Sequence, residues 1–229
     1  MSKCSELILI PTAAERELCA DLIESLNATA GVRVQLCGWG LIQSAVLTTK
    51  LIYDHRPQRV WLVGIAGALV PPAAEDAAEK IPRSSSRSEL QIGNAYEFGN
   101  VEIDGIGIGQ GTAHVSFEQL GWGHLFGGPV CPGSRIDLSL DNGTCPWLLS
   151  VCSASANFPE ALTRMHRFPN ALAEDMESYS VASACQHLQV PLRIFRGISN
   201  RAGDRRHANW RTAEAMRSAL QIATRAMHG

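Results

Sequence analysis

Three short apolar runs alternate with two helical stretches over residues 7–67, and that alternation leaves few folds open. Leu7-Ile-Leu-Ile10 is a strand ended by Pro11-Thr12, and Ala13, Ala14, Leu18, Leu22, Ile23 and Leu26 then recur at helical spacing. Thr12 is placed to cap this helix, and Glu15, three residues on, completes a capping-box pattern. Val32 to Cys37 alternates as a half-buried strand and runs into Gly38-Trp39-Gly40. Leu41 to Tyr53 is helical in spacing, and Arg59 to Gly64 is a further strand ending in Gly64-Ile-Ala-Gly67. Strand, helix, strand, helix, strand predicts βαβ units and a mostly parallel sheet. Such sheets bind ligands at the carboxyl ends of their strands, where Thr12, Gly38–Gly40 and Gly64–Gly67 lie.

The later chain continues the theme. Gly93–Phe98 and Val101–Ile108 read as strands joined at Gly99-Asn100, Trp147–Cys152 as a strand and Glu160–His166 as a helix. Met176–His187 reads as a helix, Val190–Ile198 as a buried strand and Arg206–Met227 as a closing helix. Residues 71–90, rich in Pro, Ala, Ser and mixed charge, read as an exposed loop within one domain spanning 1–229, because the sheet is incomplete before them. Residues 111–146, rich in Gly and Pro, carry little periodic signal.

Composition removes several functions. With 20 Lys+Arg against 22 Asp+Glu, the net charge of −2 supplies no bulk field for nucleic acid or an anionic membrane. At 45% hydrophobic and 18% charged residues the chain folds. Seven scattered cysteines without a Cys-x-x-Cys argue against a disulfide framework and a structural zinc. No metal or cofactor is expected. The first residues lack the pattern of a secretory signal, and no apolar run approaches a membrane span, so a reducing cytoplasm is the expected compartment. Gly105-Ile-Gly-Ile-Gly-Gln-Gly111 fails the dinucleotide spacing and reads as a tight hairpin.

Chemistry concentrates near the end. Glu174 and Asp175 fit first-turn acids at a helix N-terminus, where they favour the macrodipole. Glu177 shares a side with Val181 and Ala184 and so points inward, where a carboxylate needs partners such as ligand hydroxyls. Asn200 follows the strand Arg193-Ile-Phe-Arg-Gly-Ile-Ser199 and taken alone is an ordinary turn residue.

Glu174-Asp-Met-Glu177 followed by Arg196-Gly-Ile-Ser-Asn200 resembles the nucleoside phosphorylase/nucleosidase superfamily. Leu9 to Glu17 is similar to its first strand and acidic turn, Gly38-Trp-Gly40 to its Gly-Ile-Gly turn, and Val63-Gly-Ile-Ala-Gly-Ala68 to its third-strand glycine motif. The resemblance covers most of residues 6–70 and 147–228 and implies a three-layer α/β sandwich with a central mixed, mostly parallel sheet. It also implies cleavage of a purine N-glycosidic bond, by water or by phosphate. Within the superfamily the pieces most resemble the branch that releases hypoxanthine from futalosine on a menaquinone pathway, with Arg205 and Trp210 among the pointers.

By that resemblance, Glu177 would bind the ribose hydroxyls and stabilise an oxocarbenium-like transition state, and Met176 would pack beneath the sugar. Glu17 would deprotonate the attacking water, with Glu15 the rival because the register of the acidic turn is open by two residues. Taken without the resemblance, Glu17 is an exposed helical residue. Asn200 would donate to the N7/O6 edge of a 6-oxopurine, where adenosine-type nucleosidases carry Asp. Gly64, Ala66, Gly67, Asp175, Arg196 and Ser199 would complete the substrate site. Ile65 stands where methylthioadenosine-type nucleosidases usually carry Ser, which demotes phosphorolysis, although Arg33, Arg56 and Arg196 remain candidate phosphate ligands. The resemblance also implies a homodimer or larger, with Leu120–Phe126 as a candidate contact.

Overall fold

In the computed structural model, which describes residues 4–70, 90–117, 119–122, 133–138 and 145–228, the chain forms one mixed sheet between helices. The strands are β1 (Glu6–Ile10), β2 (Val32–Leu36), β3 (Arg59–Ala68), β4 (Ala95–Phe98), β5 (Asn100–Asp104), β6 (Gly107–Ile108), β7 (Val115–Ser116), β8 (Arg135–Asp137), β9 (Trp147–Val151), β10 (Ala171–Asp175) and β11 (Leu192–Arg201). The helices are α1 (Ala13–Glu17), α2 (Ala20–Ala28), α3 (Gly40–His55), α4 (Phe158–Arg167), α5 (Ser178–His187) and α6 (Thr212–His228). The main sheet has nine strands, in order β2-β1-β3-β10-β9-β5-β8, with β11 also on β3 and β4 on β11.

Apolar alternation sorts the central strands onto two cores. Leu7, Leu9, Val60 and Leu62 face Ile52 of α3 and Tyr179, Val181 and Cys185 of α5. Ile8, Ile10, Trp61 and Val63 face Ile23 and Leu26 of α2 and Met216, Ala219 and Leu220 of α6. A strand buried on both faces reads as a continuous apolar run, and Leu7–Ile10 does. The expected three-layer α/β sandwich is therefore what forms. Among the described residues no helix is long and apolar enough to cross a membrane.

β3 changes neighbours along its length. Its residues 59–62 pair with β1 in parallel, and Gly67 and Ala68 pair with β10 antiparallel. Between these, residues 63–66 keep β11 on one edge and leave the other edge open. That opening, at the carboxyl ends of β1 and β3, is where the cavity forms.

Four expectations change. The helix read over Ala13–Leu26 breaks at Leu18-Cys19 into α1 and α2, so Glu15 and Ile23 can face different surroundings. Glu174 and Asp175 do not open a helix: they end strand β10, and α5 starts at Ser178 with Glu177 as its N-cap. β4 and β5 are consecutive but not partners, since β4 pairs with β11 and β5 with β8 and β9. β8, unread in the Gly/Pro-rich stretch, edges the sheet. The glycine-rich segment does form a hairpin, with β6 antiparallel to β7. The loop expected over 71–90 lies, but for Leu90, outside the described residues, as does the candidate contact beyond residue 122.

Candidate active site

The cavity holds about 370 Å³ and is lined at the strand ends by Thr12, Glu15, Ile65–Gly67, Glu174–Glu177, Ser199 and Asn200, and by Trp39, Arg205 and Trp210 nearer solvent. Each acid arrives by a local rule. Thr12 caps α1, and the Glu15 carboxylate turns back to accept from Thr12 N–H at 3.1 Å and Thr12 Oγ1–H at 2.6 Å, a capping box. Its other oxygen accepts the Ile65 amide at 3.1 Å, on the open edge of β3. Glu15 is thereby buried and held against the sheet.

Glu177 accepts the Gly40 amide at 3.0 Å, at the N-terminus of α3, and faces Arg196 Nη2 at 3.4 Å. Burial pushes its carboxyl up to about 7, with Arg196 and the Gly40 amide pulling down and the Asp175 and Glu15 charges adding to the rise. The neighbouring acids are already satisfied. Asp175 accepts from Ser150 Oγ at 2.6 Å and Arg196 Nη2 at 2.5 Å, and also from the Ser178 hydroxyl. Glu174 accepts Ser155 Oγ at 2.7 Å and Arg164 Nη1 at 2.9 Å.

Arg196 is fully buried. Burial opposes its charge, but Asp175, Glu177 and Glu15 together hold it protonated above its ordinary value. Its Nη1 has no hydrogen-bond partner among the described residues. That group lies on Gly64, where a Cβ would sit 1.9 Å from Nη1 and 3.0 Å from Glu15 Oε1, so only glycine leaves room. A guanidinium N–H without a partner among the described residues thus lies beside a carboxylate oxygen beneath the cavity.

Asn200 sits at the bulge in β11, where the register against β3 shifts between Ile198 and Asn200. Its Oδ1 accepts from Ser199 Oγ at 2.7 Å, and Nδ2 gives one hydrogen to the Arg201 carbonyl at 2.7 Å. Among the described residues Nδ2 makes no other hydrogen bond, and Asn200 lines the cavity.

Of the residues expected from sequence, Ala66, Gly67, Asp175, Met176, Glu177, Ser199 and Asn200 line this cavity, and Gly64 and Arg196 lie beneath it. Glu17 is corrected: its side chain is exposed and lines a separate hollow with Ala13, Arg16 and Glu24. Two residues around a helix is about 200°, so Glu15 and Glu17 cannot share a face. Asp175 reaches the cavity as the holder of Arg196. Arg33 and Arg56 are remote, Arg33 on β2 and Arg56 at the C-cap of α3. Val151 and Ala154, which also line the cavity, were unexpected, and the carboxyl end of β9 was the available signal. Among the described residues no group of three or more His, Cys, Asp or Glu could hold a metal ion.

The phosphorylase superfamily model matches residues 136–228. A futalosine hydrolase of Thermus thermophilus is 33% identical over 191 residues, which are 82% of this chain and 77% of that protein. The chain belongs to the phosphorylase superfamily. A second relative, futalosine hydrolase of Streptomyces coelicolor, is 27% identical over 128 residues, 56% of this chain, and the match spans about half (54%) of that relative's length. Among solved structures, futalosine hydrolase of Helicobacter pylori superposes with a TM-score of 0.69 at 16% identity, covering 99% of this chain and 98% of that one. The 5′-methylthioadenosine/S-adenosyl homocysteine nucleosidase of the same organism gives 0.69 at 16% identity, covering 100% and 99%. At that identity both speak to the superfamily fold alone.

Proposed function

We propose that this chain is a purine N-glycosidase that hydrolyses futalosine and releases hypoxanthine. The observation that carries the reading is that two carboxylates on different elements, Glu15 and Glu177, turn into one cavity that also presents the buried amide of Asn200. Breaking the C1′–N9 bond builds positive charge on the ribose and negative charge on the purine, so anions belong near the sugar and donors near the base. Glu177 takes the ribose hydroxyls and the developing cation, with Met176 beneath the sugar. A water in the cavity against the Glu15 carboxylate is deprotonated by Glu15 as it adds to C1′. The Asn200 amide donates to the N7/O6 edge as the purine leaves. Relatives named futalosine hydrolase support the choice of substrate.

Phosphorolysis loses support because the cavity wall carries the apolar Ile65 where a phosphate site needs a polar donor. The deciding assay incubates the protein with futalosine, inosine and methylthioadenosine, with and without phosphate, and identifies the base released. Hypoxanthine without phosphate is expected. Adenine from methylthioadenosine alone would overturn the base assignment.

Asn200→Asp should lower hypoxanthine release and raise relative activity on 6-amino nucleosides. A carboxylate repels N7 and O6 unless protonated, and losing one donor to the leaving anion costs about 2–4 kcal/mol. The ratio of kcat/KM for futalosine and its 6-amino counterpart, at two pH values, reads this directly. No change in the ratio would reduce Asn200 to a turn residue.

Glu177 must be ionised to stabilise the sugar cation, and burial pushes its carboxyl up to about 7. Activity should therefore rise with pH: kcat/KM should show an acid limb with its inflection near that value, since this parameter reports the free protein's groups. A profile flat between pH 5 and pH 8 would argue against this role.

The protein should also be a homodimer or larger. Trp39 at the cavity and Ile42, Val46 and Tyr53 along α3 are 62, 82, 62 and 65% exposed, an apolar stripe of the kind a second copy would cover. Sedimentation showing a concentration-independent monomer would refute this.

A further inference from the structure

Of the described charged side chains that line the cavity, Glu15, Glu174, Asp175 and Glu177 are acidic, and Arg205 alone is basic. Arg196 is the other cation nearby, and it is buried and paired with Asp175 and Glu177. Arg205 is exposed and has no ion-pair partner among the described residues, whereas its neighbour Arg206 is paired with Asp204.

The loop that carries Arg205 is held from several sides. Asp204 accepts from the Arg206 amide at 2.9 Å and Asn209 Nδ2 at 2.7 Å, and these bonds, the Asn209 one foremost, keep its carboxyl below the usual range. The Trp210 indole N–H donates to the Asp204 carbonyl at 2.9 Å, and the His207 ring lies 4.7 Å from the indole. Gly203, at φ +85°, passes Asn157 so closely that a Cβ would sit 2.5 Å from its carbonyl. The Arg205 guanidinium rests over this pinned indole, 5.3 Å from the ring centre. Stacking leaves the edge of the planar fork free for bidentate contact with an oxyanion.

We propose that Arg205 reads an oxyanion, a carboxylate or a phosphate, carried on the 5′ substituent of the nucleoside. The inference rests on the reading of the cavity as a purine nucleoside site. With the base on buried Asn200 and the ribose on buried Glu177, the 5′ side is the part of the ligand that reaches the rim. There Arg205, Trp210 and Trp39 offer a cation and two aromatic faces.

The test compares inosine 5′-carboxylate with its methyl ester, inosine 5′-monophosphate and inosine, on the wild type, Arg205→Ala and Arg205→Lys. In Arg205→Ala the preference for the anionic compound should fall about 10–50-fold, through KM, while inosine stays within about twofold. Arg205→Lys should retain part of the preference, as a charge without the fork. Loss confined to the carboxylate or to the monophosphate identifies the group read. An unchanged preference, or an equal loss on all four compounds, overturns the inference.

Calorimetric titration of the same compounds onto the Glu15→Gln protein separates the two layers, because it reads binding without turnover. Charge-selective binding that depends on Arg205, beside a wild type that releases no base from any of the compounds, would keep this inference and overturn the hydrolase reading. Binding without charge preference, or no binding, overturns the inference itself.

Discussion

Glu15→Gln is expected to lower kcat for base release by about 10³-fold, within the usual contribution of a positioned general base. Glu17→Gln should leave kcat within about twofold, because Glu17 faces solvent over a different hollow. The contrast is sharp because the two acids are neighbours in sequence and differ only in azimuth. In Glu15→Gln the side-chain oxygen can still accept from Thr12, so the start of α1 is retained, but the NH2 that replaces the other oxygen cannot accept from the Ile65 amide and cannot take a proton from water. KM should change little, since the lost interaction forms mainly in the transition state. Circular dichroism of both variants should match the wild type. A dead Glu17→Gln beside an active Glu15→Gln would reverse the assignment and require α1 to be rotated.

The second large effect is on stability. Arg196→Met removes the cation shared by Asp175 and Glu177, leaving two buried carboxylates without it. Breaking such a pair costs about 3–5 kcal/mol. For a chain of this size that lowers Tm by about 10 °C or more. The pH dependence has a definite sign. Glu177 is already raised by burial and Arg196 is what pulls it down, so without Arg196 its carboxyl titrates higher in the folded state and the folded form binds more protons than the unfolded one. Stability then falls as pH rises, and the deficit should be larger at pH 8 than at pH 5. Calorimetry at the two values checks this. A deficit that is equal at both, or larger at pH 5, would show that the carboxylates do not depend on Arg196.

Legibility in the sequence followed the physics of each segment. β1, β3 and β11 are buried on both faces and announce themselves as apolar runs. β10 does not: Ala171-Leu-Ala-Glu-Asp175 is short, and its last two residues are there for Arg164 and Arg196, so they imitate a helix start. The break between α1 and α2 was hidden because apolar spacing runs through it. Glu15 carried a usable signal. Its capping box with Thr12 draws the carboxylate back over the strand end, whereas Glu17 has no such tether. Arg205 was a pointer within the resemblance, but its place at the cavity was not legible, since that depends on how Asp204, Asn209 and Trp210 fold the loop.

The open edge of β3 shapes what substitution can do to this protein. The donor that fixes Glu15 is the amide of Ile65, a main-chain atom, so exchanging the side chain at position 65 reshapes the cavity wall and leaves the anchor intact. Side-chain diversity and acid placement are thus uncoupled there, and substrate preference can drift without disturbing the chemistry. Replacing that single amide by an ester, which puts an oxygen where the N–H donor stood and keeps the side chain, would reach the anchor where no natural amino acid but proline can.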